Sequence, residues 1–385
     1  MGDTLRIALI THAWDQIVQR PYHWRDQILS RGHVLRVHTM PKPPLHSRKE
    51  PWLFDSSREV RRLPWSPWEM AQRRLGRERE AHERRERRFE AYVQRNVLDH
   101  LGSDWDVVIY SSFPVPNLER HGVSGAFVYD CMDEWSGFLP TALGLHWVPQ
   151  QVTEYERCLT AQADLILAVS QPLEARLARE HGADRVVLVP NGCDYEPFAA
   201  QSAFVSDDRA DFVVGYTGWI HDWFDWDAVQ AIARAFPRCM VQLVGPVANL
   251  PRSLPANVHL EGRQPYEDIP RFNAGFDVCI IPFRETNGSA LIAAVSPIKL
   301  YEYLASGRPV VSSPMPDTCQ LSERGIVHIA ESPRAFAEQV ADAVRLARNP
   351  ALIRRRQAIA RQNSWTNRWL PIEDRIRQLL RRQHG

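Results

Sequence analysis

Three things are scarce in this 385-residue chain. Cysteine is the first: six are scattered at 131, 158, 193, 239, 279 and 319, and no two form a CxxC pair. That spacing suggests neither a zinc site nor a disulfide framework and leaves reduced thiols as the expectation. Net charge is the second. A formal value of +1 provides no global basic field, so no nucleic-acid partner is expected. Long apolar runs are the third. Met1–Ile10 leads straight into a strand-like segment too short for a signal peptide or a membrane span, and no later segment reaches membrane length. A cytoplasmic protein is the resulting expectation, with no metal site.

What is present is ordinary globular material, 44% hydrophobic and 24% charged, at a length that suits two domains. Thirteen tryptophans fit either aromatic-lined binding surfaces or core packing. In the first half, apolar or β-branched strands at Leu5–Ile10, Val34–His38, Val107–Tyr110, Ala126–Tyr129, Leu165–Val169 and Val186–Val189 alternate with helical patterns near 23–30, 149–162 and 171–181. The second half repeats the style. Its strands are Phe212–Tyr216, Met240–Val244, Val258–Leu260, Val278–Pro282, Val310–Ser312 and Ile326–Ile329, with helices near 226–235, 266–273, 297–305, 333–347 and 350–362. This βα alternation predicts an α/β chain of two doubly wound, Rossmann-like domains with a ligand cleft between them. The expected boundaries are 1–191 for the N-terminal domain, 192–211 for a linker, 212–363 for the C-terminal domain and 364–385 for a last helix. That helix has an apolar stripe at Trp365, Trp369, Ile372, Ile376, Leu379 and Leu380, which needs a surface to lie on.

The segment Ser296–Pro314 carries the most chemistry. Ser296 suits an N-cap, Pro297 the first helical position, and Gly307 a C-terminal stop. The free N–H groups of such a start attract phosphate, and Lys299 adds a positive charge beside them. Glu302 lies one turn deeper on the same face, where its carboxylate can accept hydrogen bonds from hydroxyls. Phosphate at one end and a polyol further in suit a nucleotide sugar; a capped amphipathic helix in an ordinary α/β domain is the equal alternative on spacing alone.

Six segments in order then resemble the glycosyltransferases of GT-B fold, and most closely their retaining family 4. They are Gln19-Arg20-Pro21, Tyr129–Glu134, Val189-Pro190-Asn191-Gly192-Cys193-Asp194, Gly215-Tyr216-Thr217-Gly218, Phe276–Phe283 and Pro297–Val311. The resemblance implies a C-terminal crossover helix packing back on the N-domain. It also implies metal-independent transfer of a sugar from a nucleoside diphosphate donor to an acceptor hydroxyl, with retention, in polysaccharide, glycolipid or natural-product glycoside assembly. No cofactor is expected beyond the nucleotide sugar as co-substrate. The donor set implied is Gly218, His221, Arg284, Ser296, Pro297, Ile298, Lys299 and Glu302, with Glu302 on the ribose. His12, Trp14 and Arg20 fall on the acceptor side. Asp130 and Asp133 orient or activate the acceptor hydroxyl, or simply cap a turn. Phe283, Asn287 and Ser289 are further pocket candidates, and Asn191 and Asp194 read as hinge or turn residues.

Two departures stand out. The family often has a second glutamate eight residues before the one matching Glu302, and here that position is Ala294. It also commonly has a basic residue after the Gly218 loop, where this chain reads Trp219-Ile220-His221-Asp222-Trp223; His221 and Arg284 are the candidate substitutes. A non-catalytic sugar-nucleotide-binding partner protein and a sugar-nucleotide epimerase of the same fold are the alternatives, the second disfavoured by Pro297–Glu302. Finally, residues 73–88 carry eight arginines against four glutamates on a long polar helix expected over about 68–101. An exposed, salt-bridged helix is the favoured reading; contact with anionic lipid at the inner membrane face, or with a lipid-linked acceptor, is the sharper one.

Overall fold

The computed structural model describes residues 4–12, 19–40, 101–111, 122–134, 149–201, 211–285 and 292–384, with isolated positions between 71 and 94 and at 118–119. Two compact units emerge: Met1–Ala168 with Leu177–Val187 and Ile372–Gly385, and Val169–Arg176 with Leu188–Pro371.

In the first unit the chain runs β1 (Arg6–His12), α1 (Arg20–Ser30), β2 (Val34–Met40), β3 (Asp104–Tyr110), β4 (Ser124–Cys131), α2 (Pro149–Gln162), β5 (Leu165–Ala168), α3 (Gln171–His181, begun in the second unit) and β6 (Val186–Leu188). The sheet order is β2-β1-β3-β4-β5-β6, with β1–β2, β1–β3, β3–β4 and β4–β5 paired in parallel. Both faces of a parallel sheet are covered, so its strands read as continuous apolar runs rather than alternating ones. Accordingly Val107–Tyr110, Ala126–Tyr129 and Leu165–Ala168 are buried throughout.

The second unit runs α4 (Tyr195–Ala200), β7 (Val213–Thr217), α5 (Trp226–Ala235), β8 (Met240–Val244), β9 (Val258–Gly262), α6 (Ile269–Gly275), β10 (Val278–Ile281), α7 (Ile298–Ala305), β11 (Val310–Ser312), α8 (Pro316–Glu323), β12 (Val327–Ile329), α9 (Pro333–Leu346) and α10 (Pro350–Gln362). Its strand order is β12-β11-β10-β7-β8-β9, again parallel. The chain starts at β7, winds outward to β9, and returns to the other side of β7 as β10. The crevice beyond the C-terminal ends of β7 and β10 is therefore the topological switch point, the place where such sheets bind ligands. Helices α5 and α9 pack one apolar cluster around Val229, Ile232, Phe336 and Val340, while α4, α7 and α10 pack a second around Phe198, Leu300, Leu304 and Ile359.

All twelve expected strands are present, with ends moved by a residue or two at most sites and by three at the start of β3. Two local expectations are corrected, and one helix is added. The segment 192–211 is not linker throughout: Tyr195–Ala200 is helical, because Phe198 on it is fully buried in the second unit's core. The helix expected at 266–273 is a 3₁₀ turn, Tyr266–Asp268, followed by α6, which starts at Ile269 with Pro270 in its first turn. Helix α8 carries no apolar stripe that spacing could reveal.

The last helix, α11 (Trp365–His384), begins in the second unit and ends in the first. Trp365, Trp369, Ile372 and Ile376 are buried, while Leu379 and Leu380 are half-buried. Within the first unit, Glu373 on this helix faces Arg31 at 3.5 Å and His33 at 3.4 Å. Among the tryptophans, Trp24, Trp365 and Trp369 serve the core. Of the Arg-rich segment only isolated positions are described. They include the ion pair Arg79–Glu83 at 3.0 Å, as an exposed salt-bridged helix requires, and an exposed Leu75. No helix among the described residues is long and apolar enough to cross a membrane.

Candidate active site

Helix α7 sits at the switch point of the second unit. Its N-cap is Pro297, in extended conformation, and no side chain caps it. Ser296 therefore lies one position outside the expected N-cap. Its hydroxyl is already used, accepting the Asn191 N–H at 3.0 Å and donating to the Asp317 carboxylate. The expectation that Ser296 is the N-cap is corrected accordingly; the amides of Ile298 and Lys299, which have no carbonyl a turn earlier in the helix, are open to an anion at this terminus. At the other end the helix stops as its sequence requires. Gly307 takes φ 73°, and the N–H groups of Gly307 and Arg308 return to the carbonyls of Leu304 and Tyr303.

The structure brings Lys299 and Gly218 together. Gly218 ends the strand-loop after β7 at φ 133°, and a Cβ there would lie 2.8 Å from Lys299 Cε. Only glycine allows the lysine to lie across this loop. The next strand's loop presses on it too, since a Cβ at Gly245 would meet the Gly218 carbonyl oxygen at 2.0 Å. The Lys299 ammonium lies 5.3 Å from the Tyr216 ring centroid and 5.0 Å from that of Phe283. Tyr303, one turn along α7, binds the end of β7 by accepting the Thr217 N–H at 2.7 Å. Helix, glycine loop and strand end thus form one fixed arrangement.

Glu302 is buried, and Tyr266 donates its hydroxyl to it at 2.9 Å, with Asp194 3.4 Å from the same hydroxyl. Tyr266 was not legible as a site residue, because a tyrosine in a loop between β9 and α6 carries no motif of its own. Burial pushes the Glu302 carboxyl up to about 7, against the lowering effects of the Tyr266 hydrogen bond and the Lys299 charge. Lys299 keeps some surface open, yet the atoms crowding it lower its ammonium to about 8, with Glu302 acting in the opposite direction. Burial thus moves both groups toward neutral pH, in opposite directions from their ordinary values.

The stability consequence has a definite sign. A carboxyl raised in the folded state stabilises below its unfolded value, and that contribution is lost as pH rises to about 7. The loss is on the order of 2–3 kcal/mol for a shift of this size. Glu302→Gln should therefore be more stable than wild type at pH 8 and nearly equal to it at pH 5, as urea unfolding at the two pH values would show. Equal differences at both would mean that Glu302 is ionised throughout.

His221 is not placed as a donor cation. It is buried, stacked on Trp223 at 4.8 Å and edge-on to Trp219 at 4.8 Å, with Asp222 3.6 Å from its Nδ1. The spacing could not show this, because the two indoles enclose the ring only when the loop folds. Arg284 is exposed; its backbone N–H bonds the Trp223 carbonyl at 2.8 Å and ties the loop after Gly218 to the end of β10. Ala294 is buried in a 3₁₀ turn, and Asn287 and Ser289 lie outside the described residues.

In the first unit, Asp130 and Arg20 are both buried and paired at 2.9 Å, and Trp24 Nε1 donates to Asp130 at 2.8 Å. Asp130 is thereby a structural carboxylate rather than one open to an acceptor, and Arg20 is its counter-ion. Asp133 is different. Burial raises it to about 7, opposed by the Arg20 charge and reinforced by Asp130 and Glu134, and it remains partly exposed. His12 is the last residue of β1 rather than a loop residue, and Trp14 lies outside the described residues. Among the described residues no group of three or more His, Cys, Asp or Glu is arranged to hold a metal ion.

Comparison with known proteins places this architecture. Along 96% of its length the chain superposes on 98% of Anabaena HepE, solved with UDP and glucose, at a TM-score of 0.56 and 15% identity. WaaG, a glycosyltransferase involved in lipopolysaccharide biosynthesis, gives 0.58 at 16% identity over 96% of this chain and 98% of its own. Sucrose-phosphate synthase from Thermosynechococcus elongatus gives 0.60 at 17% over 97% and 99%. The fold is therefore GT-B, that of a class of glycosyltransferases. Residues 211–345, which hold the Gly218 loop, Lys299 and Glu302, match the family Glycosyl transferases group 1. The chain is also 27% identical over 220 residues to TuaH of Bacillus subtilis (strain 168), provisionally named a teichuronic acid biosynthesis glycosyltransferase. That match spans 53% of this chain and 54% of TuaH, about half of each.

Proposed function

We propose that this protein transfers a sugar from a nucleoside diphosphate donor to an acceptor hydroxyl, with retention and without a metal, in the assembly of a surface polysaccharide, glycolipid or natural-product glycoside. The observation that carries the reading is Lys299 laid across Gly218 at the switch point, with Glu302 buried one turn along α7. Cleaving the donor's anomeric bond leaves charge on the diphosphate, and preorganised electrostatic stabilisation is the largest contribution available to such a step. Lys299 and the α7 amides supply it in a site walled by Tyr216 and Phe283. Glu302, steadied by Tyr266, accepts hydrogen bonds from the ribose hydroxyls. The departing phosphate takes the acceptor proton on the same face, which preserves the anomeric configuration. Asp133, raised to about 7, is the carboxyl of the first unit suited to hold an acceptor hydroxyl. The UDP complexes of HepE and the polysaccharide-related names of TuaH and WaaG support UDP-sugars and a cell-surface glycan as the first donors and acceptors to test.

Thermal shift and slow hydrolysis across a panel of nucleotide sugars, each with and without EDTA, test this reading. Binding of one donor with slow, EDTA-insensitive release of its nucleotide is expected. Product epimerisation, or hydrolysis that EDTA abolishes, would contradict it. Binding with no turnover in the presence of acceptor extracts would favour a non-catalytic partner protein, the reading that Ala294 motivates.

A further inference from the structure

The N-terminus of α7 has no side-chain cap, yet it is held by a buried network that no part of the proposed chemistry uses. Asp317, in the first turn of α8, accepts hydrogen bonds from two hydroxyls through one carboxylate oxygen: Ser296, just ahead of α7, and Tyr301, next to Glu302, at 3.1 Å. The Ser296 residue is gripped again by Asn191, whose Nδ2 donates to the Ser296 carbonyl at 2.7 Å. Arg368, on the first turn of α11, closes the circuit. Its Nη2 donates to the Tyr301 hydroxyl at 3.3 Å and its Nε to the Asn191 carbonyl at 3.2 Å. Ser296, Asp317 and Tyr301 are each buried, so these bonds form where water does not compete and unmade ones are costly.

We propose that Asp317 is a positioning residue for the donor site, its carboxylate fixing the Ser296–Pro297 approach to α7 and so the placement of the Ile298 and Lys299 amides, the Lys299 ammonium and Glu302. This rests on the donor reading above. The argument is geometric. The two hydroxyls that Asp317 receives bracket Lys299 in sequence, Ser296 just before α7 and Tyr301 within it. A carboxylate held between them sets where the helix begins and how it is rotated. It touches no donor atom itself; it acts through Ser296 and Tyr301. Pro297 makes such an outside anchor necessary, since it leaves the helix start with neither an N–H nor a polar side chain at the cap.

A double-mutant cycle with UDP as the binding probe, and GDP and ADP in parallel, tests the assignment. Asp317→Asn keeps the shape but removes the charge that strengthens both accepted hydrogen bonds; Ser296→Ala removes one of the two ties. Each should weaken nucleotide binding by roughly tenfold, the equivalent of one hydrogen bond to a charged group. The double variant should be no weaker than the worse single one, because both act on one tether. Circular dichroism at the binding temperature must show all three folded; if Asp317→Asn is not, Tyr301→Phe with Ser296→Ala provides the cycle. A residue that only stabilises the fold would lower the melting temperature and leave nucleotide affinity unchanged, and that result overturns the proposal. Fully additive losses overturn it too. If the wild type itself binds none of the three nucleotides, the donor reading fails and the positioning role falls with it, an outcome distinct from wild-type binding that the variants retain.

Discussion

Replacing Lys299 with methionine is expected to abolish donor turnover while leaving the fold at least as stable as wild type at pH 7. The two effects have opposite signs for one reason. The ammonium is crowded between Gly218, Tyr216 and Phe283 and its proton affinity is lowered to about 8, so holding the charge there costs stability in the absence of ligand. Methionine fills the same volume without that cost. In the proposed reaction, the same charge would face a diphosphate whose negative charge grows as the anomeric bond breaks. Losing such a preorganised group lowers turnover by about 10²–10³-fold. Nucleotide release from the donor selected by the panel, read beside a thermal melt, measures both. Turnover within a few-fold of wild type would show that another group holds the diphosphate; a large fall in melting temperature would show that Lys299 is needed for folding instead.

Arg20→Leu should have the largest effect on the fold. Asp130 is completely buried, and Arg20 is 2% exposed beside it. Removing one partner of a buried ion pair strands the other, at a cost of about 3–5 kcal/mol. For a domain of this size that lowers the melting temperature on the order of 10 °C. The loss should be greater at pH 8 than at pH 5, because Arg20 is also the charge that lowers Asp133, a carboxyl raised to about 7 and therefore ionised at pH 8 but protonated at pH 5. Asp133 should shift further upward, since Arg20 is the charge that lowers it. Melting curves at the two pH values decide the matter. An unchanged melt with lost transfer would make Arg20 and Asp130 reacting groups rather than a structural pair.

The contrast between these two residues shows what could be read in advance. Lys299 and Glu302 were legible because their spacing on a helix is a local property, and Gly218 because Gly215-Tyr216-Thr217-Gly218 resembles a family motif. Arg20 and Asp130 were picked out separately, without their pairing. They are 110 positions apart, and nothing along the chain shows that one is the other's counter-ion. Ser296 failed for a related reason. Serine before proline is a good cap by propensity, yet Asp317 and Asn191 claim its hydroxyl first, and neither is near it in sequence. His221 was plausible as a cation until two indoles enclosed it.

The sequence by itself determined the strands, most of the helices, the two-unit α/β class and the chemistry of α7. Each of these follows from periodicity, from caps and stops, or from the short reach between neighbours on one turn. Tertiary structure decided which polar groups are spoken for. Tyr266 on Glu302, Asp317 on Ser296 and Tyr301, and Asp130 on Arg20 are pairings in which burial makes an unmet hydrogen bond or charge expensive. That cost acts only once distant segments meet, which is why helix α7 could be located from sequence while the contacts that hold it could not.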